Sequence, residues 1–102
     1  MVEREVTIHE TVVEYISKIA LYVEGKGLPE TAKKFIDEAF SFFEELADDR
    51  VTHRPCGFIP WRKLSYRCAT FRKKYTVAYL ENSTEIIICD IALSKLLVSD
   101  LK

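Results

Sequence analysis

The stretch Ile86-Ile87-Ile88-Cys89 is apolar at four consecutive positions, and this run strongly constrains the fold. A strand with one face in water alternates polar and apolar residues, whereas a continuous apolar run is typical of a strand covered on both faces. We therefore predict a strand from Glu85 to Leu93 that lies centrally in a sheet. With 102 residues the chain has the length of one domain with one core, so we predict a single domain over residues 1–102.

Three further segments have the character of strands. Glu5–Ile8 alternates polar and apolar residues, as a short strand with one buried face does. Ser65–Phe71 and Tyr75–Leu80 are rich in aromatic and branched residues. The segments Arg72-Lys73-Lys74 and Glu81-Asn82-Ser83-Thr84 follow these two strands, and we predict a hairpin turn at each.

Two amphipathic helices are predicted between the first strand and the second. The spacing of Thr11 and Glu14 is that of a capping box, which predicts the start of the first helix, and Gly25 and Gly27 predict its end. Pro29 suits the first turn of the second helix. Apolar residues recur three and four positions apart at Val12, Ile16, Ile19, Ala20 and Val23, and again at Ala32, Phe35, Ile36, Ala39, Phe42, Phe43 and Leu46.

The order of these elements, β-α-α-β-β-β, predicts an α+β fold in which the helical hairpin packs on a small, mainly antiparallel sheet. Between the second helix and the second strand, Asp48–Pro60 contains two prolines and a glycine and is predicted to be an irregular connection. No segment is apolar over the roughly 20 residues that cross a bilayer, and the first residues lack the character of a signal peptide. We therefore expect a cytoplasmic protein with no membrane partner.

Charge divides the chain into an acidic half and a basic half. Six basic and twelve acidic residues give residues 1–50 a charge of −6, and nine basic and four acidic residues give residues 51–102 a charge of +5, in agreement with the total of −1. Such asymmetry is typical of a protein whose basic part meets an acidic or polyanionic partner. The basic residues are densest between positions 54 and 74, which hold seven of them, no acidic residue and four aromatic ones.

This basic segment supplies most of the candidate functional residues. Cations beside aromatic rings suit single-stranded RNA or exposed nucleotides, because the charges follow the phosphates and the rings stack on bases. Arg67, Ala69 and Phe71 share one face of a predicted strand, from which Arg67 can extend towards phosphate. The alternative is that the cations solvate turns and the aromatics fill the core. The candidates for contact with a target are Arg62, Lys63, Arg67, Arg72, Lys73, Lys74, Tyr75, Tyr79 and Lys95.

Tyr75 and Tyr79 lie at alternate positions of the third strand and have two interpretations. They could stack on a base, or act as acid or base with help from Lys73 and Lys74, since an unperturbed tyrosine titrates only near about 10. They could instead pack as aromatics under a helix. We favour packing, because aromatic residues are common in strands.

The cysteines and histidines give little sign of chemistry. Cys56, Cys68 and Cys89 are odd in number and irregular in spacing, so we predict reduced thiols and no disulfide framework. His53 and Cys56 have an H-x-x-C spacing, but a structural zinc takes four ligands, and only His9 and the other two cysteines could complete the set. We predict no metal site and no cofactor, and we assign no catalytic residue.

The order of elements and the segment from Arg62 to Tyr79 together resemble the RelE/ParE toxin superfamily, the toxins of type II toxin–antitoxin, or plasmid stabilisation, modules. The resemblance spans nearly the whole chain. Its most telling positions are Tyr66-Arg67-Cys68-Ala69, Phe71, Lys73 and Tyr75-x-Val77-x-Tyr79. The sequence from Leu28 to Ile36 is similar to the second helix of these toxins.

This resemblance implies a growth-inhibiting toxin that either acts on DNA gyrase, as ParE-like members do, or cleaves mRNA on the ribosome, as RelE-like members do. It also implies a cognate antitoxin that wraps around the toxin and neutralises it. The resemblance leaves the oligomeric state open.

Two departures bear on which activity is implied. Ribonuclease members have a basic residue directly after the aromatic that opens the third strand, where this chain has Thr76 after Tyr75. Many relatives end the last strand with a histidine and a Lys-Arg pair, of which this chain keeps only Lys95. The ribonuclease constellation is therefore largely missing, which favours a ParE-like toxin and leaves open whether the chain is an enzyme. The alternatives are an inert toxin remnant or partner-binding module, and a RelE-like mRNA endonuclease.

Overall fold

The order of helices and strands follows the prediction, with one helix added. The computed structural model describes residues 4–48, 50 and 53–97. Along these residues the elements are β1 (Glu5–Ile8), α1 (Glu10–Gly25), α2 (Pro29–Glu45), α3 (Ile59–Lys63), β2 (Arg67–Phe71), β3 (Tyr75–Glu81) and β4 (Glu85–Leu93), followed by a 3-10 turn at Ser94–Leu96. The predicted α+β class and helical hairpin are confirmed. Helix α3 begins inside the predicted irregular connection, of which residues 49, 51 and 52 lie outside the described residues.

The described strands form one mixed sheet in the order β1-β4-β3-β2. β1 runs parallel to β4, with Glu5 opposite Glu85 and Ile8 opposite Ile88. The β4–β3 and β3–β2 pairings are antiparallel, so the sheet is mainly antiparallel as predicted. β4 lies between β1 and β3, as its consecutive apolar residues predicted.

The helical hairpin covers one face of the sheet and forms the main core with it. Phe43 of α2, Ile16 of α1, Tyr79 of β3 and Ile88 of β4 are among the largest fully buried side chains. Burying a large apolar side chain stabilises the fold by about 1.5–3 kcal/mol, so this layer of helix on sheet supplies most of the apolar stabilisation.

The first helix starts in a different way from the predicted capping box. The N-cap is His9, whose backbone is extended and whose Nδ1 accepts a hydrogen bond of 3.1 Å from the backbone N–H of Thr11. Thr11 is therefore inside the helix and does not cap it. In the turn between α1 and α2, Gly27 has a φ of +84°, a conformation that glycine adopts without steric cost. Pro29 is the first residue of α2.

Arg4 is a buried cation that closes the C-terminal end of α2. Its guanidinium donates to the carbonyl oxygens of Leu46 at 3.1 Å, Ala47 at 3.3 Å and Asp48 at 3.0 Å. Carbonyls at the C-terminal end of a helix lack hydrogen-bond donors within the helix and carry partial negative charge. A guanidinium there donates hydrogen bonds to them and offsets that charge. The same guanidinium forms an ion pair of 2.9 Å with Glu81 of β3. Arg4 therefore ties β1, α2 and β3 together.

A smaller apolar cluster covers the other face of the sheet. Its buried members are Cys56, Trp61 of α3 and Ala78 of β3. The segment before α3 pairs with the outer edge of β2, because the N–H of Cys56 donates to the carbonyl of Tyr66 at 3.1 Å and the N–H of Cys68 donates to the carbonyl of Arg54 at 3.3 Å.

This pairing overturns the prediction of three reduced thiols. It places the Cα atoms of Cys56 and Cys68 4.9 Å apart, within the range a disulfide spans, and the two sulfur atoms are bonded. Cys89 is a free thiol. The spacing of the cysteines in the sequence could not show this, because it is the return of residues 54–56 to the sheet edge that brings the two side chains together.

Candidate functional site

The hairpin turn between β2 and β3 has an unusual backbone. Arg72 and Lys73 both have a φ of +58°, and the N–H of Lys74 donates to the carbonyl of Phe71 at 3.2 Å. Two central residues with positive φ are typical of a type I′ turn, which normally takes glycine or asparagine. Holding other residues there costs about 1–3 kcal/mol each, so the predicted turn is confirmed but carries strain that contacts elsewhere must offset.

Arg72 makes those contacts with α2. Its Nε donates to Oε1 of Glu38 at 2.9 Å, and its guanidinium lies 5.2 Å from the centre of the Phe35 ring and 5.7 Å from that of Phe71. Arg72, a candidate for contact with a target, therefore packs against α2 and stabilises the turn.

The three lysines at this end of the sheet surround a single cleft. Lys73 and Lys74 come from the turn, and Lys95 comes from the 3-10 turn after β4. Together with Leu93 and Ser94 they line a cleft of about 430 Å³, which we call the three-lysine cleft. All three side chains are exposed. Among the described residues, none of the three ammonium groups has a carboxylate within ion-pair distance.

Backbone pairing explains why residues so distant in sequence meet here. Leu93, the last residue of β4, lies opposite Tyr75, the first residue of β3. The N–H of Ser94 donates to the carbonyl of Lys74 at 2.8 Å, and the hydroxyl oxygens of Ser94 and Thr76 lie 2.7 Å apart. The start of β3 and the end of β4 are therefore joined, and Lys95 is held beside the turn lysines.

Arg62 and Lys63 lie in the last turn of α3 and do not line this cleft. Nε of Arg62 donates to the carbonyl of Cys56 at 3.0 Å, so its side chain helps to hold the segment before α3. Lys63 is exposed.

Arg67 shares a face with Ala69 and Phe71 as predicted, but this is the face that packs on the helices. Its Nη1 donates to the carbonyl of His53 at 2.6 Å, and its Nε lies 3.3 Å from Oε1 of Glu81. No donor in the described residues is aligned for a hydrogen bond with that oxygen, so the contact with Glu81 is electrostatic. Arg67 is therefore held by partners within the fold, although 38% of its side chain stays exposed, and its contact with an outside phosphate stays a prediction.

Tyr75 and Tyr79 are core residues, which confirms the packing interpretation. They are 6% and 1% exposed. The ring of Tyr75 lies 5.8 Å from that of Phe35 and 6.4 Å from that of Tyr15. Neither ring presents a face on which a base could stack while the fold stays closed.

Tyr79 is poorly suited to act as a general acid or base near neutral pH. Burial, together with the charge of Glu81, raises its pKa to about 12, although Arg67 and Arg4 act in the opposite direction. Its hydroxyl lies 2.8 Å from Nδ1 of His53. Tyr79 therefore holds its proton near neutral pH and contributes a partly buried hydrogen bond.

Sequence reasoning missed this internal network. Arg4, His53 and Glu81 are isolated in the sequence, and no spacing joins them to Arg67 or Tyr79. The one available signal is the short distance of Arg4 from the first strand, which cannot reveal that α2 ends beside it. Among the described residues, no group of three or more His, Cys, Asp or Glu side chains is placed to hold a metal ion.

The chain was compared with known proteins. No family model matches it, and no curated protein matches it either, so the resemblance to the RelE/ParE superfamily stays a prediction. Within the described part of the chain, no helix combines the length and the apolar character needed to span a membrane.

Proposed function

We propose that this chain is a ParE-like toxin of a type II toxin–antitoxin module, which inhibits growth by contacting an anionic target through the three-lysine cleft. The observation that carries the proposal is that Lys73, Lys74 and Lys95 converge on one cleft and form no ion pair with any described residue, while Arg67 and Arg72 pair with Glu81 and Glu38. The β-α-α-β-β-β order behind the resemblance supports it.

Lysines in this arrangement suit phosphate. An exposed ammonium group on a flexible stem binds phosphate as a point charge, and neutralising a polyanion releases its condensed counterions. Both proposed targets present phosphates, as RNA on the ribosome and as the DNA that gyrase holds. In this proposal the toxin acts in the cytoplasm, where these targets are, and a cognate antitoxin neutralises it.

The proposed mode of action is binding without bond cleavage. Among the residues that the structure describes, those that line the cleft include no carboxylate and no imidazole, the groups that most often transfer protons near neutral pH. The hydroxyl oxygen of Ser94 lies 2.7 Å from that of Thr76. A contact surface therefore fits these side chains better than a ribonuclease centre does.

The test is induction of the lone protein in bacteria, with survivors counted. We expect growth arrest by the natural chain and its loss in the triple variant Lys73→Ala, Lys74→Ala, Lys95→Ala. A matched control replaces Lys18, Lys26 and Lys33, three exposed lysines of the helical hairpin and its turn, and lowers the net charge from −1 to −4 in the same way. Arg67 is left intact, because its loss would also disturb Glu81.

The outcomes separate the alternatives. Arrest by the control but not by the cleft variant supports the proposal. Unhindered growth at good expression of the natural chain would favour an inert remnant or partner-binding module instead. Arrest that persists in the cleft variant would place the toxic surface elsewhere.

A further inference from the structure

The disulfide between Cys56 and Cys68 fastens a segment that has little core of its own. This segment, residues 53–64, contains α3 and covers the second face of the sheet; we call it the latched segment. Among the described residues, the cluster that anchors it has three buried members and several partly buried ones, against fourteen buried members in the main core. A unit with so few buried contacts is expected to open before the main core does.

Polar contacts join the latched segment to its surroundings, several of them through residues 53–56. Nδ1 of His53 lies 2.8 Å from the hydroxyl of Tyr79, and the N–H of Tyr66 donates to the carbonyl of Trp61 at 3.1 Å. The backbone of Cys56 bonds to that of Tyr66, and the backbone of Arg54 to that of Cys68. Arg67 donates to the carbonyl of His53. Helix α3 itself rests on the sheet through Trp61, which is 7% exposed.

We propose that the Cys56–Cys68 disulfide is a redox latch, whose reduction by a dithiol releases residues 53–64 from the sheet while the helical hairpin and the main core stay folded. A cross-link over a sequence separation of 12 restricts the open form. In the chain-entropy model, reduction of the cross-link raises the population of the open form by roughly 100-fold.

The chemistry of opening is ordinary thiol–disulfide exchange. Cys68 is half-buried and Cys56 is fully buried, so the sulfur of Cys68 is the accessible one. A thiolate of the dithiol attacks it, a mixed disulfide forms, and Cys56 leaves as a thiolate that takes up a proton. The second thiol of the dithiol then displaces Cys68. Two protein thiols and one oxidised dithiol result.

Cys89 does not supply an internal thiol for this exchange near neutral pH. Its Sγ lies 3.4 Å from the carbonyl of Ile87, and burial raises its pKa. A partly buried thiol with a raised pKa has little of the thiolate that attacks disulfides. The reductant must therefore come from outside the chain.

Release of the latched segment would uncover specific groups. Ala78 and Trp61 would lose their cover on the second face, and the N–H of Cys68 and the carbonyl of Tyr66 would become free along the edge of β2. The three-lysine cleft lies outside the segment, so the latch and the proposed function can fail independently. A reducing compartment favours the open form and an oxidising one the closed form.

The latched segment contains a natural reporter, because Trp61 is the single tryptophan of the chain. The experiment follows its fluorescence in the full chain before and after dithiothreitol, with free thiols counted in parallel. We expect one free thiol, that of Cys89, before reduction and three after it. The emission should shift to longer wavelength and become accessible to a soluble quencher, while the far-ultraviolet circular dichroism keeps its shape.

Two further measurements make the result decisive. The double variant Cys56→Ser, Cys68→Ser should show the open signal without dithiothreitol and ignore its addition. Hydrogen exchange of the Cys56 and Cys68 amides should accelerate by roughly 100-fold on reduction, with the amides of β4 unchanged. Three free thiols before reduction, a Trp61 that stays buried in the reduced chain, or loss of the main core on reduction would each overturn the proposal.

Discussion

The guanidinium of Arg72 binds the carboxylate of Glu38 and so joins a left-handed turn residue to the middle of α2. This contact anchors the hairpin turn that carries Lys73 and Lys74, two of the three cleft lysines. Arg72 belongs to a run of three basic residues in the sequence, but it stabilises the fold through its contacts with α2. The two lysines beside it are exposed, and the ammonium of Lys74 lies 5.6 Å from the centre of the Tyr75 ring.

Replacing Arg72 and Lys73 should have opposite effects on stability. Arg72→Ala loses a half-exposed ion pair and the contact with two rings, and should lower the free energy of unfolding by about 1 kcal/mol. Lys73→Gly removes only the steric cost of a positive φ, and should raise it by about 1 kcal/mol. Urea denaturation measures both. Equal destabilisation by the two variants would contradict the account of the turn.

Arg4→Met should lower the free energy of unfolding far more than the loss of an exposed cation does. It removes the partner of the carbonyls at the end of α2 and leaves Glu81 without its closest cation, a loss of about 3 kcal/mol or more. Arg50→Ala is the control, since its ion pair with Asp48 is exposed and screened by water, so this change should affect stability much less. Thermal unfolding of the two variants checks the difference, and similar midpoints would show that Arg4 does not close the helix.

Stability should fall at alkaline pH because of Tyr79. Its pKa is about 12 in the folded chain, against an ordinary value of 10.0, so the unfolded chain releases this proton first. The unfolded state then binds fewer protons, and stability is lost as pH rises from about 10 through about 12.

Tyr79→Phe tests this directly. Denaturation at a series of pH values should show a shallower alkaline loss, and the variant should be about 1 kcal/mol less stable at neutral pH because the hydrogen bond to His53 is missing. Tyr22→Phe, at an exposed position of α1, is the control. An alkaline profile that runs parallel to that of the natural chain would contradict the assignment. Some loss should persist, since burial also raises the pKa values of Tyr15 and Tyr66.

Hydrophobic pattern alone predicted the elements of the main core. The strands Glu5–Ile8 and Glu85–Leu93 have the predicted bounds, and the two helices differ from prediction only near their ends. These elements bury continuous apolar stripes, so their periodicity is visible in the sequence. Helix α3 was missed because five residues that include Pro60 show no period.

The site was harder to predict because it depends on where side chains point after the strands pair. The strand pattern placed Arg67, Ala69 and Phe71 on one face but could not say which face the helices would cover. Lys95 joins Lys73 and Lys74 only through the register of β3 and β4. The sequence showed where the basic residues are concentrated. Only the tertiary contacts show which of the described basic residues form ion pairs.

The most direct test of the three-lysine cleft is the salt dependence of its binding to a single-stranded RNA oligonucleotide, followed by fluorescence anisotropy. Three phosphate contacts predict that log K falls with log salt with a slope of about −2. The variant Lys73→Ala, Lys74→Ala, Lys95→Ala should abolish that slope and most of the affinity, and the variant at Lys18, Lys26 and Lys33 should keep both. Binding that is unchanged by loss of the cleft lysines, or absent from the natural chain at low salt, would contradict the account.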